Sequence, residues 1–233
     1  MAQTRIKPLE RKVLRDTVYE SLVDMLMSGA LPPGAALSID GLAHDLQVSP
    51  TPVREALVHL ERTGLVLRAP LRGYHVAPPL STDQISQLLD ARIVLELGAL
   101  NLAFSEQPHL AADLAKAHVK HEKTALAVAG VVPDRAHMDA YRDYMAADWA
   151  FHRTIFRYSR NDYLIQQAEG LPAHLHRLRQ SVTRGVNDSI ATMAEHTAVL
   201  EAVQNNDAEA AKAALHAHLN GVKERSMRDE ASS

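Results

Sequence analysis

Val48-Ser-Pro-Thr-Pro-Val-Arg-Glu-Ala-Leu57 begins as a helix cap and continues as a helix. The Ser49 hydroxyl is placed to accept from a backbone N–H of the first turn. Pro50 and Pro52 fall where helical N–H groups lack partners, so neither disrupts the helix. From Val53 the apolar residues recur at Leu57, Leu60 and, past Gly64, Leu65. That period of about 3.6 marks one buried face. Arg54, Glu55, Val58, Glu61 and Arg62 fall on the other. Upstream, Ile39 to Leu46 is a short amphipathic run that ends at a tight break, Gln47-Val48. A short helix, a turn and a second helix with a polar face predict a helix-turn-helix.

Upstream of this stretch a helix is expected from Glu10 to Ser28, with Val13, Thr17, Leu22, Met25 and Leu26 inward, and Gly29 to Gly34 breaks it. Downstream, Leu65 to Arg68 and Gly73 to Val76 read as two short strands around a turn, a wing, with Arg72 set to meet a phosphate or a minor groove. Ala77-Pro-Pro-Leu80 ends the wing, and Ser81 or Thr82 can cap the next helix. The expected organisation is a flexible basic arm at 1–9, a winged helix-turn-helix at 10–78, a linker at 79–81, an all-α bundle at 82–228 and a tail at 229–233. Within the bundle, helices are expected at about 82–105, 108–129, 136–159, 161–184, 189–205 and 207–228, with no strand pattern.

Composition narrows the functional classes. The chain has 233 residues, 46% hydrophobic and 23% charged, an ordinary globular balance. Aromatics at 4% favour close helix packing. There is no Cys, which excludes disulfides, Cys-ligated zinc fingers and thiol nucleophiles and fits a reducing cytoplasm. No apolar run reaches the ~18 residues of a membrane span, so no membrane partner is expected. The formal net charge of −3 does not by itself announce nucleic acid. Residues 1–80 hold 9 Lys+Arg against 8 Asp+Glu, a weak excess. The local run Arg5, Lys7, Arg11, Lys12, Arg15 against Glu10 can track phosphates or simply be a solvated tail.

Ser49 to Leu57, then Leu60-Glu-Arg-Thr-Gly-Leu65, then Arg72-Gly-Tyr-His-Val76 resembles the winged helix-turn-helix of the GntR family of bacterial transcription regulators. Pro32-Pro-Gly34 matches that family's turn between its first two helices. The resemblance departs at Pro50, where many members carry an Arg that is often a base contact. It leaves Thr51 and Arg54 to meet base edges or phosphates in the major groove, with Arg15, Arg72 and the arm on the backbone and Ser49 and Gly73 also in the DNA-binding set. It implies a homodimer joined through the bundle, two wings on a pseudo-palindromic operator in double-stranded DNA, and a cytoplasmic protein.

Thirteen His raise the question of a metal. Met145, Asp148, Trp149, His152, Ile155 and Phe156 share one helical stripe, and Asp148 and His152, at i and i+4, can reach one ion. Met193, His196, Leu200 and Val203 share another. Leu215, His218, Leu219 and Val222 share a third, with His216 pointing away. An Asp and three His on apolar stripes of three helices are either separate core groups satisfied by neighbours or a divalent-cation site. His121 and His174 also lie near apolar stripes, so periodicity alone leaves both readings open. Asp148-Trp-Ala-Phe-His152, Glu195-His196 and His218-Leu219, with Leu88-x-x-x-Arg92-x-x-Leu95-Glu96, resemble the metal-binding subset of the FCD domain, the ligand-sensing domain of the FadR branch of GntR regulators. That resemblance implies a divalent ion on Asp148, His152, His196 and His218, with zinc first and Ni, Co, Fe or Mn as alternatives. It also implies a small carboxylic acid completing the shell.

Arg92, inward with Leu88, Leu95 and Ala99, either clamps that acid bidentately or pairs with Glu96 one turn on. Arg177 and Arg179 are weaker candidates. Two other functions are weighed. One is the same regulator with a metal-free pocket for a larger acyl-type ligand. The other is a helical metallohydrolase with a DNA-binding head, in which an open metal position activates water. Hydrolysis needs a general base beside the ligands. Trp149 follows Asp148, Arg153 follows His152, and Glu195 lies roughly 100° around the helix from His196, so no base is found and no enzyme is expected.

Overall fold

The computed structural model describes residues 11–131, 136–171 and 188–231. The arm, His174, Arg177 and Arg179 lie outside the described residues. The chain divides into two compact units, Met1–Pro78 and Pro79–Ser233.

In the first unit, α1 (Arg11–Met27) is followed by β1 (Ala36–Leu37), α2 (Ile39–Asp45), α3 (Pro50–Arg62), β2 (Val66–Ala69) and β3 (Gly73–Val76). The face of α1 is set by Val18, Leu22, Val23 and Leu26, all buried. Thr17 is exposed where an inward residue was expected; Val18 takes that place, because it and Leu22 are one helical turn apart on the side that meets α3. Val53, Leu57, Leu60 and Leu65 are fully buried, as their spacing predicts. Each contributes about 1.5–3 kcal/mol relative to exposure. Tyr19 stacks on His59, ring centroids 4.4 Å apart, tying α1 to α3.

The α2–α3 turn passes through Gln47 at φ 53°, and Ser49 is the N-cap residue of α3. Its hydroxyl makes no capping bond, contrary to expectation. Pro52 stands at N3 and has no N–H to donate, so one of the two usual partners of the cap is absent. By contrast, the Ser38 side chain accepts from Gly41 N at 3.1 Å at the start of α2.

The wing has one strand more than expected. β1 pairs antiparallel with β3, which pairs with β2, giving the order β1-β3-β2. Two residues show no alternation, so β1 has no period for a sequence reading to detect. At the β2–β3 turn, Leu71 (φ 63°) and Gly73 (φ +74°) both adopt the left-handed region. Gly does so freely, whereas Leu71 holds it at the fully exposed tip.

In the second unit, α4 (Thr82–Ala103) begins with a capping box in which Ser81 and Gln84 exchange side-chain and backbone bonds. A 3₁₀ turn (Phe104–Glu106), α5 (Gln107–Val128), α6 (Met138–Tyr158), α7 (Asp162–Glu169), α8 (Ser189–Gln204) and α9 (Ala208–Ala231) complete the described bundle. The helix expected at 161–184 ends at Glu169, capped by Gly170. Gly170 is the stop, and the expectation for 172–184 lies outside the described residues. The last helix runs three residues beyond the expected 228. Leu100, Leu110, Leu114, Phe151, Ile155, Val199, Val203, Leu215 and Leu219 form the main core. Across it, Asp113 on α5 accepts from Tyr158 (2.8 Å) and Arg157 (2.5 Å) on α6. Asp148, His152, His196 and His218 project from α6, α8 and α9.

Candidate functional site

Two sets of residues carry chemistry, one in each unit. In the first, Thr51 and Arg54 are exposed at the start of α3, opposite the buried Val53, Ala56 and Leu57. Ser49, Arg72 and Gly73 are exposed as well. Arg15 differs: its guanidinium pairs with the neighbouring Asp16 at 2.6 Å. A phosphate must draw it out of that pair.

In the second unit, α4, α5, α6, α8 and α9 bring together a cluster of imidazoles and carboxylates. His196 Nε2 lies 3.1 Å from His152 Nε2 and 3.3 Å from His218 Nε2, and all three rings are buried. Asp148 Oδ1 is 3.8 Å from His196 Nε2, with 14% of its side chain exposed. The four donors belong to two overlapping groups, His152–His196–His218 and His121–Asp148–His196, and within each group the candidate ligand atoms fall within 4.8 Å of one another. His121 is the addition. The sequence places it near an apolar stripe of α5, and in the fold it is fully buried against the site. Its Nδ1 is 3.1 Å from His196 Nδ1, and its Nε2 is 3.7 Å from Asp148 Oδ1.

The second nitrogen of each imidazole explains how the rings are oriented. His152 Nδ1 faces Glu96 Oε2 at 2.6 Å and His218 Nδ1 faces Glu195 Oε2 at 2.8 Å. Each carboxylate accepts from Nδ1–H, which leaves the Nε2 lone pair directed inward. Glu96 is held in turn by Arg92 Nε. Glu195 is held by Arg225 through Nη1 at 2.7 Å and Nη2 at 3.0 Å, and Arg225 Nε reaches Asp188 at 3.3 Å. Ring stacking fixes the central imidazole further: Phe151 lies on His196 with centroids 4.1 Å apart and planes 11° apart.

Sequence reasoning missed both carboxylates as orienting groups. Glu96 entered as the possible partner of Arg92, and that pair is present. On α4 the buried stripe runs Ile85, Leu89, Arg92, Glu96, Ala99, with Leu95 only partly buried, so Glu96 rather than Leu95 shares the face of Arg92. Glu195 does point away from the His196 side chain, and there it meets His218 of the next helix. Adjacency in sequence to a ligand hid its partnership with another.

Electrostatics favour neutral imidazoles. Burial, reinforced by the neighbouring His218 and His152, pushes His196 well below the ordinary imidazole range. Burial lowers His121 to about 4 against the pull of Asp148, and lowers His218 against that of Glu195. For Glu96 burial opposes ionisation, but Arg92 and His152 outweigh it and hold the carboxyl at about 2. A metal ligand must offer an unprotonated nitrogen, and burial favours that state at His196 and His218. Three imidazole nitrogens and a carboxylate are a donor set that fits Zn, Ni, Co or Fe. Among the described residues, Arg92 Nη2 and His121 Nε2 are buried without a hydrogen-bond partner. Buried polar atoms of that kind call for a partner.

Residues 14–76 match the gntR family of bacterial regulatory proteins, and residues 87–221 match the FCD domain. An HTH-type transcriptional regulator in an unstable DNA locus of Streptomyces ambofaciens is 30% identical over 211 residues, spanning 89% of this chain and 83% of its own. The transcriptional regulator LutR of Bacillus subtilis (strain 168) is 28% identical over 224 residues, spanning 86% and 95%. Among solved structures, McbR/YncC of E. coli superposes with a TM-score of 0.67 at 24% identity, covering 89% of this chain and 94% of that one. A GntR regulator from Rhodococcus sp. RHA1 gives the same score at 20% identity, covering 91% and 96%. At these identities the superpositions speak to the fold alone.

Proposed function

Because the chain belongs to the GntR family of bacterial regulatory proteins, with an FCD domain following its helix-turn-helix, we propose that its DNA binding is controlled by a small carboxylic acid at a divalent metal centre. It is a DNA-binding transcription regulator, as its relatives are, and not an enzyme. None of the described helices is long and apolar enough to cross a membrane. The rest of this reading is a cytoplasmic homodimer that presents two wings to an operator of pseudo-palindromic double-stranded DNA.

The observation that carries the metal is the convergence of the His152 and His218 Nε2 atoms to within 3.1–3.3 Å of His196 Nε2, with the opposite nitrogens of His152 and His218 already committed to carboxylates. Asp148, His152, His196 and His218 would hold the ion. When bound, it supplies a positive charge and open positions for a carboxylate. Arg92 keeps Nε on Glu96, which leaves Nη2 for the acid. The two roles weighed for Arg92 are thus compatible on one guanidinium. Coupling to DNA is bounded by the difference in the acid's affinity for the two states of the bundle.

The test is a thermal-shift screen of small carboxylic acids on zinc-loaded and chelator-stripped protein. We expect stabilisation by an acid in the loaded form only. An equal response in both forms would sink the metal-dependent sensor. At the DNA end, Arg54→Ala is expected to weaken binding to an operator recovered by in vitro selection by about 1–3 kcal/mol. An unchanged titration removes Arg54 from the reading set.

A further inference from the structure

We infer that His121 is a positioning residue of the metal centre: its Nδ1 accepts from His196 Nδ1–H and so holds the central imidazole with its Nε2 lone pair toward the ion. The inference rests on the metal reading above and concerns a residue outside the four proposed ligands.

Hydrogen-bond accounting sets the roles. His152 and His218 each have a carboxylate on Nδ1, at 2.6 Å and 2.8 Å. His196 has none. The group within hydrogen-bond distance of its Nδ1, among the described residues, is His121 Nδ1 at 3.1 Å. An ion on Nε2 of His196 leaves that ring a single place for its proton, Nδ1. A buried N–H without an acceptor is destabilising. His121 removes that cost only as the tautomer whose Nδ1 is bare and whose proton sits on Nε2. That Nε2 is fully buried and lacks a hydrogen-bond partner among the described residues, and it lies 3.7 Å from Asp148 Oδ1. A shift of about an ångström or less closes the gap to hydrogen-bond length. His121 thus stands between two proposed ligands, receiving from one and facing the other. Tyr144 stacks on its ring, centroids 5.4 Å apart, and fixes the ring plane.

A carboxylate at this position would also accept from His196. It would add a negative charge beside Asp148, in a pocket already crowded with acids that Arg92 and Arg225 neutralise. A neutral imidazole accepts without that charge, which is a physical reason for a histidine here.

The test uses cobalt(II) as the probe. Full-length protein, His121→Phe and His121→Asn are titrated with Co²⁺ by visible absorption, with competition by a chelator of known affinity. Phe keeps the ring and removes the acceptor; Asn restores an acceptor oxygen near the Nδ1 position. We expect one Co²⁺ per chain in the parent, an affinity about 10–100-fold lower in His121→Phe, and recovery toward the parent in His121→Asn. Equal affinity in His121→Phe and the parent overturns the role of His121 while leaving the metal centre intact. A parent that binds no Co²⁺ overturns the metal reading itself. Should His121→Phe misfold, ¹⁵N spectra of imidazoles in the zinc-loaded parent give an independent answer. His121 protonated at Nε2 is the expected state, and protonation at Nδ1 overturns the inference.

Discussion

Glu96→Gln is expected to lower the stability of the C-terminal unit by about 3–5 kcal/mol, read by urea denaturation of chelator-treated protein so that no metal contributes. Arg92 is 2% exposed and Glu96 is fully buried, and they pair one turn apart on α4. Gln keeps the shape and keeps an oxygen for His152, but it removes the negative charge on Arg92 Nε. An unneutralised buried guanidinium is the costly product, more than the lost bond. Replacing both partners separates these effects. Arg92→Met with Glu96→Leu removes the stranded charge, and we expect most of the stability to return even though His152 loses its acceptor. A loss below about 1 kcal/mol in Glu96→Gln would mean that water reaches the pair and screens it as at a surface. If the double variant is as unstable as the single one, losing the acceptor of His152 costs as much as the stranded guanidinium does.

The same pair shows where sequence reading succeeds and where it stops. Arg92 and Glu96 are i and i+4, so their pairing is written in the spacing. What the spacing does not contain is the neighbour across the bundle: Glu96 reaches His152, 56 residues away, at 2.6 Å. The helix-turn-helix was legible because Ser49 to Leu65 is local. A proline-rich start, a 3.6 period and a glycine stop each act within a few residues, and the fold places Val53, Leu57, Leu60 and Leu65 in the core accordingly. The bundle was legible helix by helix, with the end of α7 misread because the weight of Gly170 was missed. His121 marks the limit. Its stripe on α5 is equally consistent with an ordinary core histidine. Only the close packing of α5 on α6 and α8 places it beside Asp148 and His196. Inward-facing polar groups can be counted from a sequence, but which of them meet depends on helix order and rotation about each axis, and periodicity encodes neither.

Stripping the metal is expected to lower the melting temperature of the zinc-loaded protein by about 8–16 °C. Zinc held at about 1,000 times its dissociation constant stabilises the folded state by about 4 kcal/mol, provided the unfolded chain does not compete. For a unit of about 150–250 residues each kcal/mol moves the midpoint by roughly 2–4 °C. The size of the effect follows from how the site is built. Asp148 and His152 come from α6, His196 from α8 and His218 from α9, so an ion held there would tie together three helices, of which α8 and α9 are also linked by Glu195 with His218 and Arg225. His196→Ala is the informative variant, because His196 Nε2 is the atom that lies near both other imidazoles. Its own melting point falls from the space left beside Phe151, so the quantity to compare is the loaded-minus-stripped difference. That difference should vanish in His196→Ala and persist in His216→Ala, whose imidazole is exposed on the far side of α9. Parent protein that melts at the same temperature with and without chelator would show that packing and the Glu96 and Glu195 networks hold the helices unaided. The cluster would then be a set of core histidines, and the regulator would sense its signal without a metal.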